Sequence, residues 1–406
     1  MNSDISTIMC PETLGKYAEV LYWGLTRARK TPLKKSSVIH VRYDIPALPL
    51  AESVVGMLHD LDMTPVPRAN PTSRMEQDFY SKANRKRLMM EIPGDKEFLG
   101  RISGSIHLIA PESFTHLRSV DPENITIARN GRRELQEILV KREALGEYSW
   151  TLCMYPTPAL AEQASLSLED YALEMKRSCF LDQGMPVHNW KLLIKEVEEI
   201  KKWLDSLQPR SIRVQSENVD LLLRPGDRRR WVGISGRNIP SFELYISPDW
   251  RGTEGEYYAD LPSFRHGHKV QGVKLSFRLG EVIRFSVDTG FEITREQLAT
   301  DPGAKRVGEF ALVDKRFSPI KQAMANTLYD ENFGGEHGSC HIALGQSYAN
   351  TFDGDAGALS PERKQELGFN SSALHWDLVN TEDKRVTAVL EGGDKICIYE
   401  NGQFQY

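Results

Sequence analysis

Residues 37–61, SVIHVRYDIPALPLAESVVGMLHDL, decide the first half of the fold. Ser37–Tyr43 carries the short apolar run Val-Ile-His-Val of a buried strand, and Leu48–Leu61 continues with apolar residues at helical spacing. Upstream, residues 14–29 put Leu14, Tyr17, Ala18, Leu21 and Leu25 on one helical face. Downstream, Ser105–Ala110 and Trp150–Tyr155 are further apolar strands, with a strongly amphipathic helix over Asn130–Leu145 between them. Alternation of strand and helix predicts a mainly parallel sheet covered by helices. Neither G-x-G-x-x-G nor G-x-x-x-x-G-K-[ST] occurs, so the sheet is read as a scaffold rather than a nucleotide site.

A helical stretch over Val187–Leu207 ends that alternation. Beyond it strands dominate: Ser211–Val214, Val219–Leu223, Phe242–Ile246, Lys269–Phe277, Val282–Val287, Val307–Val313, Val386–Leu390 and Lys395–Tyr399. Arg278-Leu-Gly-Glu281 and Gly392-Gly-Asp394 are hairpin signals, which suit antiparallel pairing. The expected architecture is an α/β N-terminal domain over residues 1–182 and an α+β, largely antiparallel C-terminal domain over residues 183–406.

Composition excludes more than it names. With 51 basic and 56 acidic residues the net charge is −5, which gives no reason to expect nucleic acid or an anionic membrane as partner. The basic run Arg228-Arg-Arg230 is read as a solvated loop. Five scattered cysteines without a C-x-x-C pair argue against a disulfide framework and a thiolate zinc site, and fit a reducing cytoplasm. No secretory pattern opens the sequence and no run reaches the ~20 apolar residues of a membrane span.

The chemistry lies in polar residues inside apolar strands. His375 and Asp377 stand at i and i+2 of the run Ala373–Val379, so in a strand both point to one face. That pair is either half of a divalent-metal site or a hydrogen-bonded core pair. Glu243 in Phe242–Ile246 and Glu309 in Val307–Val313 are carboxylates whose burial demands a cation or a donor. His341, read as preceding an apolar turn Ile342–Gly345, could complete a ligand set, and Tyr348 could ligate metal or donate to an anionic transition state. Two divalent ions would balance Glu243, Glu309 and Asp377 together with a hydroxide, and oxygen ligands with two imidazoles suit zinc, cobalt, manganese or magnesium. Paired metals of that kind support metal-assisted amide hydrolysis.

At these residues the chain resembles the thermophilic metallo-aminopeptidases of the aminopeptidase T and aminopeptidase S type. The matching motifs are Asn238-Ile-Pro-Ser-Phe-Glu243, Val307-Gly-Glu309, Asn326-Thr-Leu-Tyr-Asp-Glu-Asn332, His341-Ile-Ala-Leu-Gly-Gln-Ser-Tyr348 and His375-Trp-Asp377. Tyr155-Pro-Thr-Pro158 and the helix around Arg129–Leu139 resemble the family's first domain. The resemblance implies that Glu243, Glu309, His341, His375 and Asp377 hold two co-catalytic metals and that Tyr348 is the active-site tyrosine. It also implies release of N-terminal residues from peptides by a metal-activated hydroxide, and a homodimer enclosing its sites. Glu309 is read as a bridging or base-adjacent ligand, and Glu331 as an outer or amine-binding carboxylate.

One departure is the insertion Phe333-Gly-Gly-Glu-His-Gly-Ser339 before Cys340-His341. His337 in it has the four-residue spacing of helical zinc ligands, although its glycines disfavour a helix. His266-Gly-His268 is read as an exposed turn. Two competing readings share the scaffold: a mononuclear iron ring-cleaving dioxygenase using His341, His375 and Asp377, and a non-catalytic peptide-binding protein.

Overall fold

The computed structural model describes residues 5–29, 31–265 and 267–406; His266 lies outside the described residues. The chain forms two units, Met1–His188 with Ser235–Ile239, and Asn189–Ile234 with Pro240–Tyr406.

In the first unit, strands β1 (Val38–Tyr43), β2 (Thr64–Ala69), β3 (Gly104–Ile109) and β4 (Ser149–Met154) pair in parallel, in the order β2-β1-β3-β4, and Asn238–Ile239 adds an edge beside β4. Ile39, Val41, Ile106 and Leu108 are fully buried on one face, under helices Pro11–Arg27 and Leu48–Asp60. Gly24 lies inside the first of these helices, where glycine ordinarily costs about 1 kcal/mol relative to alanine. A Cβ there would stand 2.6 Å from the Gly236 carbonyl, so only glycine allows this approach. β2 was not foreseen, because Pro65 and Pro67 interrupt its pattern; as an edge strand it tolerates both. The expected helix over Asn130–Leu145 is two helices, Pro122–Gly131 and Arg133–Ala144, and the second buries no residue. Val140 and Leu145, apolar residues of the expected helix, are exposed.

The second unit holds a two-stranded hairpin, Ser263–Arg265 with His268–Val270, and two larger antiparallel sheets. The larger runs Glu281–Ser286, Val273–Arg278, Asp249–Ala259, Asp220–Arg224, Ser211–Gln215, Arg385–Val389, Lys395–Glu400 and Gln403–Phe404. Lys269–Phe277, expected as one strand, is divided between His268–Val270 and Val273–Arg278, with Gly272 at positive φ between them. The smaller sheet comprises β5 (Glu243–Ile246), β6 (Val307–Val313), β7 (Ser339–Gly345) and β8 (His375–Asn380), ordered β8-β7-β6-β5. Residues 342–345 therefore belong to a strand, not to the expected turn. Leu244, Phe310, Leu312, Ile342, Leu344, Trp376 and Leu378 pack its apolar face, each at most 1 % exposed. Tyr257 of the larger sheet reaches that side and donates to the Leu378 carbonyl at 2.7 Å.

The Arg228–Arg230 run is not uniformly solvated as expected. Arg229 is 5 % exposed, donates to the carbonyls of Ser247, Asp227 and Leu367, and lies 3.5 Å over the Phe369 ring.

Candidate metal centre

Register brings the polar residues of the smaller sheet together. Directly paired residues share a face. The pairs Glu309↔Ala343↔Asp377, Ala311↔His341, Val313↔Glu243 and Gly345↔His375 thus put Glu243, Glu309, His341, His375 and Asp377 on the face opposite the apolar core. Ala343 stands between Glu309 and Asp377, and its single methyl leaves the space above it open. At the end of β6 a bulge at Gly308 changes the pairing, so that Val307 opposes Leu344 while Glu309 opposes Ala343.

The side chains converge as two triads. Ligand atoms of Glu243, Glu309 and His341 lie within 4.8 Å of one another, and so do those of Glu309, His375 and Asp377. Glu309 belongs to both. His341 Nε2 is 3.2 Å from Glu309 Oε1, 3.4 Å from Glu243 Oε2 and 4.0 Å from Asp377 Oδ1, while His375 Nε2 is 3.3 Å from Asp377 Oδ1. The site grades from closed to open: the His341 side chain is 1 % exposed and that of His375 25 %. His375 Nδ1 is 3.0 Å from the Gln346 carbonyl, which fixes the N–H there and leaves Nε2 with its lone pair toward the cluster.

The electrostatics are those of a site built around positive charge. Burial first, then the Glu309 carboxylate, push Glu243 up to about 8. Burial and the charges of Glu243, Asp377 and Glu309 drive Glu331 well above the carboxylate range. Burial would lower both histidines, but neighbouring carboxylates overcome it and hold His341 and His375 at about 9. Burial opposes ionisation of Asp377 too, yet His375 prevails and keeps it at about 2. Glu243 Oε2, Glu309 Oε2 and His341 Nδ1 are buried without a hydrogen-bond partner. Orphaned carboxylate oxygens inside a cluster of carboxylates are costly unless a cation takes them, so the donor set fits divalent metal.

Tyr348 sits at the open edge, 42 % exposed, its ring 4.9 Å from that of His375 and 6.1 Å from that of Tyr245. Burial of its hydroxyl environment, then Glu309 and Asp377, raise its pKa and keep the phenol protonated. His337 belongs to neither triad; its ring nitrogens lie 4.0 Å from Glu336 and 3.9 Å from Asp383. His268 is exposed on a short hairpin strand. Sequence reasoning missed Tyr245, Asn332 and Gln346. Tyr245 was findable at i+2 from Glu243 on the same strand face. Asn332 was quoted only as part of a motif; buried, it accepts from the Phe242 amide at 2.5 Å and so ties the segment holding Glu331 to the start of β5. Gln346 acts through its carbonyl, which carries no sequence signal.

Residues 11–404 match the family model described as thermophilic metalloprotease (M29). Aminopeptidase 2 of Geobacillus stearothermophilus is 28 % identical over 323 residues, covering 74 % of this chain and 75 % of that protein. Aminopeptidase AmpS of Bacillus subtilis (strain 168) is 26 % identical over 293 residues, 68 % of each chain. The solved structure of wild-type AmpT from Thermus thermophilus matches with a TM-score of 0.79, over 99 % of this chain and 100 % of that one, at 19 % identity. That likeness establishes the fold, a parallel-sheet first part followed by antiparallel sheets.

Proposed function

The chain belongs to the thermophilic metalloprotease (M29) family, and from that premise we propose a two-metal aminopeptidase that releases N-terminal residues from peptides. It is a metal-dependent peptide hydrolase, as its aminopeptidase relatives are. The observation that carries the finer reading is the pair of triads sharing Glu309. Glu243, Glu309 and His341 would hold one divalent ion, and Glu309, His375 and Asp377 the second, with zinc, cobalt, manganese or magnesium as candidates. Metals so held would supply Lewis-acid polarisation of the scissile carbonyl and would make a water more acidic.

The chain's own residues do the rest. Tyr348, kept protonated, can donate its O–H to the oxyanion that forms at the attacked carbonyl, from the open side of the site. Glu331, with its raised proton affinity, suits uptake of the proton lost by water and its return to the departing amine. Glu309 would be shared by the two ions, and Glu243 would hold the one at the closed end. A single iron on His341, His375 and Asp377 would leave the buried Oε2 atoms of Glu243 and Glu309 unmatched, which disfavours the dioxygenase reading.

We further propose a homodimeric, cytoplasmic enzyme, in keeping with its five cysteines, none of them in a disulfide. Among the described residues no helix is long and apolar enough to cross a membrane. The test is a panel of aminoacyl fluorogenic substrates against metal-free protein reloaded with one divalent ion at a time. Turnover of substrates with a free α-amine under at least one metal is expected. Binding of peptides without cleavage under every metal would replace the proposal with the non-catalytic reading.

A further inference from the structure

The second face of the parallel sheet in the first unit carries charge where such sheets ordinarily carry aliphatic residues. Register aligns Arg68 of β2, Arg42 of β1 and His107 of β3 in one row, and His40 with Ser105 in the row before it. Neighbouring strands lie about 4.8 Å apart, and like charges directly opposite one another are destabilising. The row sits near the carboxyl ends of β1, β2 and β3. The strand order reverses between β1 and β3, which is where open α/β sheets bind ligands.

Carboxylates offset this row only in part: Asp44 favours the charged form of Arg42, and Asp95 pairs with Arg68. Arg42 Nε donates to the neutral Asn70 Oδ1 at 2.7 Å. The adjacent Asp44 is occupied by the Asn70 amide at 2.6 Å and the Ala110 N–H at 2.7 Å. Arg68 lies 4.0 Å over the Phe98 ring and reaches Asp95 only at 3.6 Å. His40 is nine-tenths buried, edge-on to Phe98 at 5.0 Å, and its Nε2 has no hydrogen-bond partner. An unpaired buried imidazole nitrogen beside two guanidiniums is costly as it stands and is explained by an anion that all of them contact. Burial first, then neighbouring positive charge, hold His40 and His107 at about 4, so both are neutral imidazoles able to present one N–H.

We propose that this face is a binding site for a phosphate-class oxyanion, clamped by Arg42 and Arg68 and bonded from below by His40 and His107. The site lies wholly within the first unit and is independent of the metal-centre reading. The test is calorimetric titration of the metal-loaded full chain with inorganic phosphate at constant ionic strength, with parallel thermal melts. Because phosphate also ligates divalent ions, the metal-free full chain is titrated in parallel, and His375→Ala, which removes a ligand of one triad, is a second control.

Phosphate is expected to bind and to raise the melting temperature in wild type and His375→Ala alike. Arg42→Gln/Arg68→Gln should bind at least about tenfold more weakly. Without phosphate that variant should melt no lower than wild type, since like-charge crowding is relieved; a merely structural role for the arginines would lower it. Should the double variant not fold, Arg68→Gln alone, at a side chain 47 % exposed, carries the same test. Phenyl phosphate added in competition distinguishes phosphomonoesters, which displace phosphate, from a site for the free ion, where they do not. Unchanged phosphate affinity in the arginine variants, loss of all phosphate binding in His375→Ala, or equal stabilisation by acetate would each overturn the proposal.

Discussion

Loading metal into the metal-free protein at pH 7 should expel close to three protons per chain. Glu243 at about 8, and His341 and His375 at about 9, all hold a proton at pH 7 when no cation competes. Each must give it up to present a lone pair to a metal. If Glu331, whose pKa is also raised, joins the ligands, the number approaches four. The assay is calorimetric titration with a divalent ion at pH 7 in buffers of different ionisation enthalpy, whose slope counts the protons. The same groups set the stability of the metal-free protein. All three pKa values lie above those of the unfolded chain, so the folded state retains protons the unfolded chain has lost, and stability falls as pH rises from 7 to 9. At about 1.4 kcal/mol per proton per pH unit, a difference of about two and a half protons gives a slope of about 3 kcal/mol per unit, which metal should flatten. Release of fewer than about one proton, or equal pH slopes with and without metal, would refute this reasoning.

Three other outcomes are specific. His375→Ala and Asp377→Ala should each leave a folded protein with less than about a tenth of wild-type turnover in metal-replete assays, because each removes a donor from the same triad; circular dichroism beside the fluorogenic assay reads both. Gly308→Ala should cost about 1–3 kcal/mol and weaken metal binding at least tenfold, measured by melting and metal titration. Its methyl would meet the carbonyls of Gly345 at 2.3 Å and Gln346 at 2.5 Å, disturbing the strand end that aims Glu309 and the carbonyl that holds His375. Arg229→Ala should cost about 3 kcal/mol or more by chemical denaturation, since two buried carbonyls and a partly buried third lose their donor, whereas Arg230→Ala at an exposed position should stay within about 1 kcal/mol.

The donor set was legible because strand periodicity is local. His375 and Asp377, two apart, could be assigned to one face without knowing any partner strand. That Glu243, Glu309 and His341 share the face depends on register across four strands and on the Gly308 bulge, which no local pattern encodes. The order of their motifs, by resemblance, supplied what periodicity could not. The misreadings have similar causes. Ile342–Gly345 ends in a glycine and looks like a turn, yet it is a strand buried on both sides. Asp249–Ala259 is the longest strand described, but its charges and two glycines hide the alternation. Three consecutive arginines read alike, and only the fold singles out Arg229, by burying it among the Ser247 and Leu367 carbonyls and over Phe369.

The central claim is that one sheet face holds two ions sharing Glu309. Anomalous diffraction from crystals of the metal-loaded protein tests it most directly. Two peaks are expected, one bounded by Glu243, Glu309 and His341 and the other by Glu309, His375 and Asp377. A single peak held by His341, His375 and Asp377, or occupancy away from this face, would contradict it.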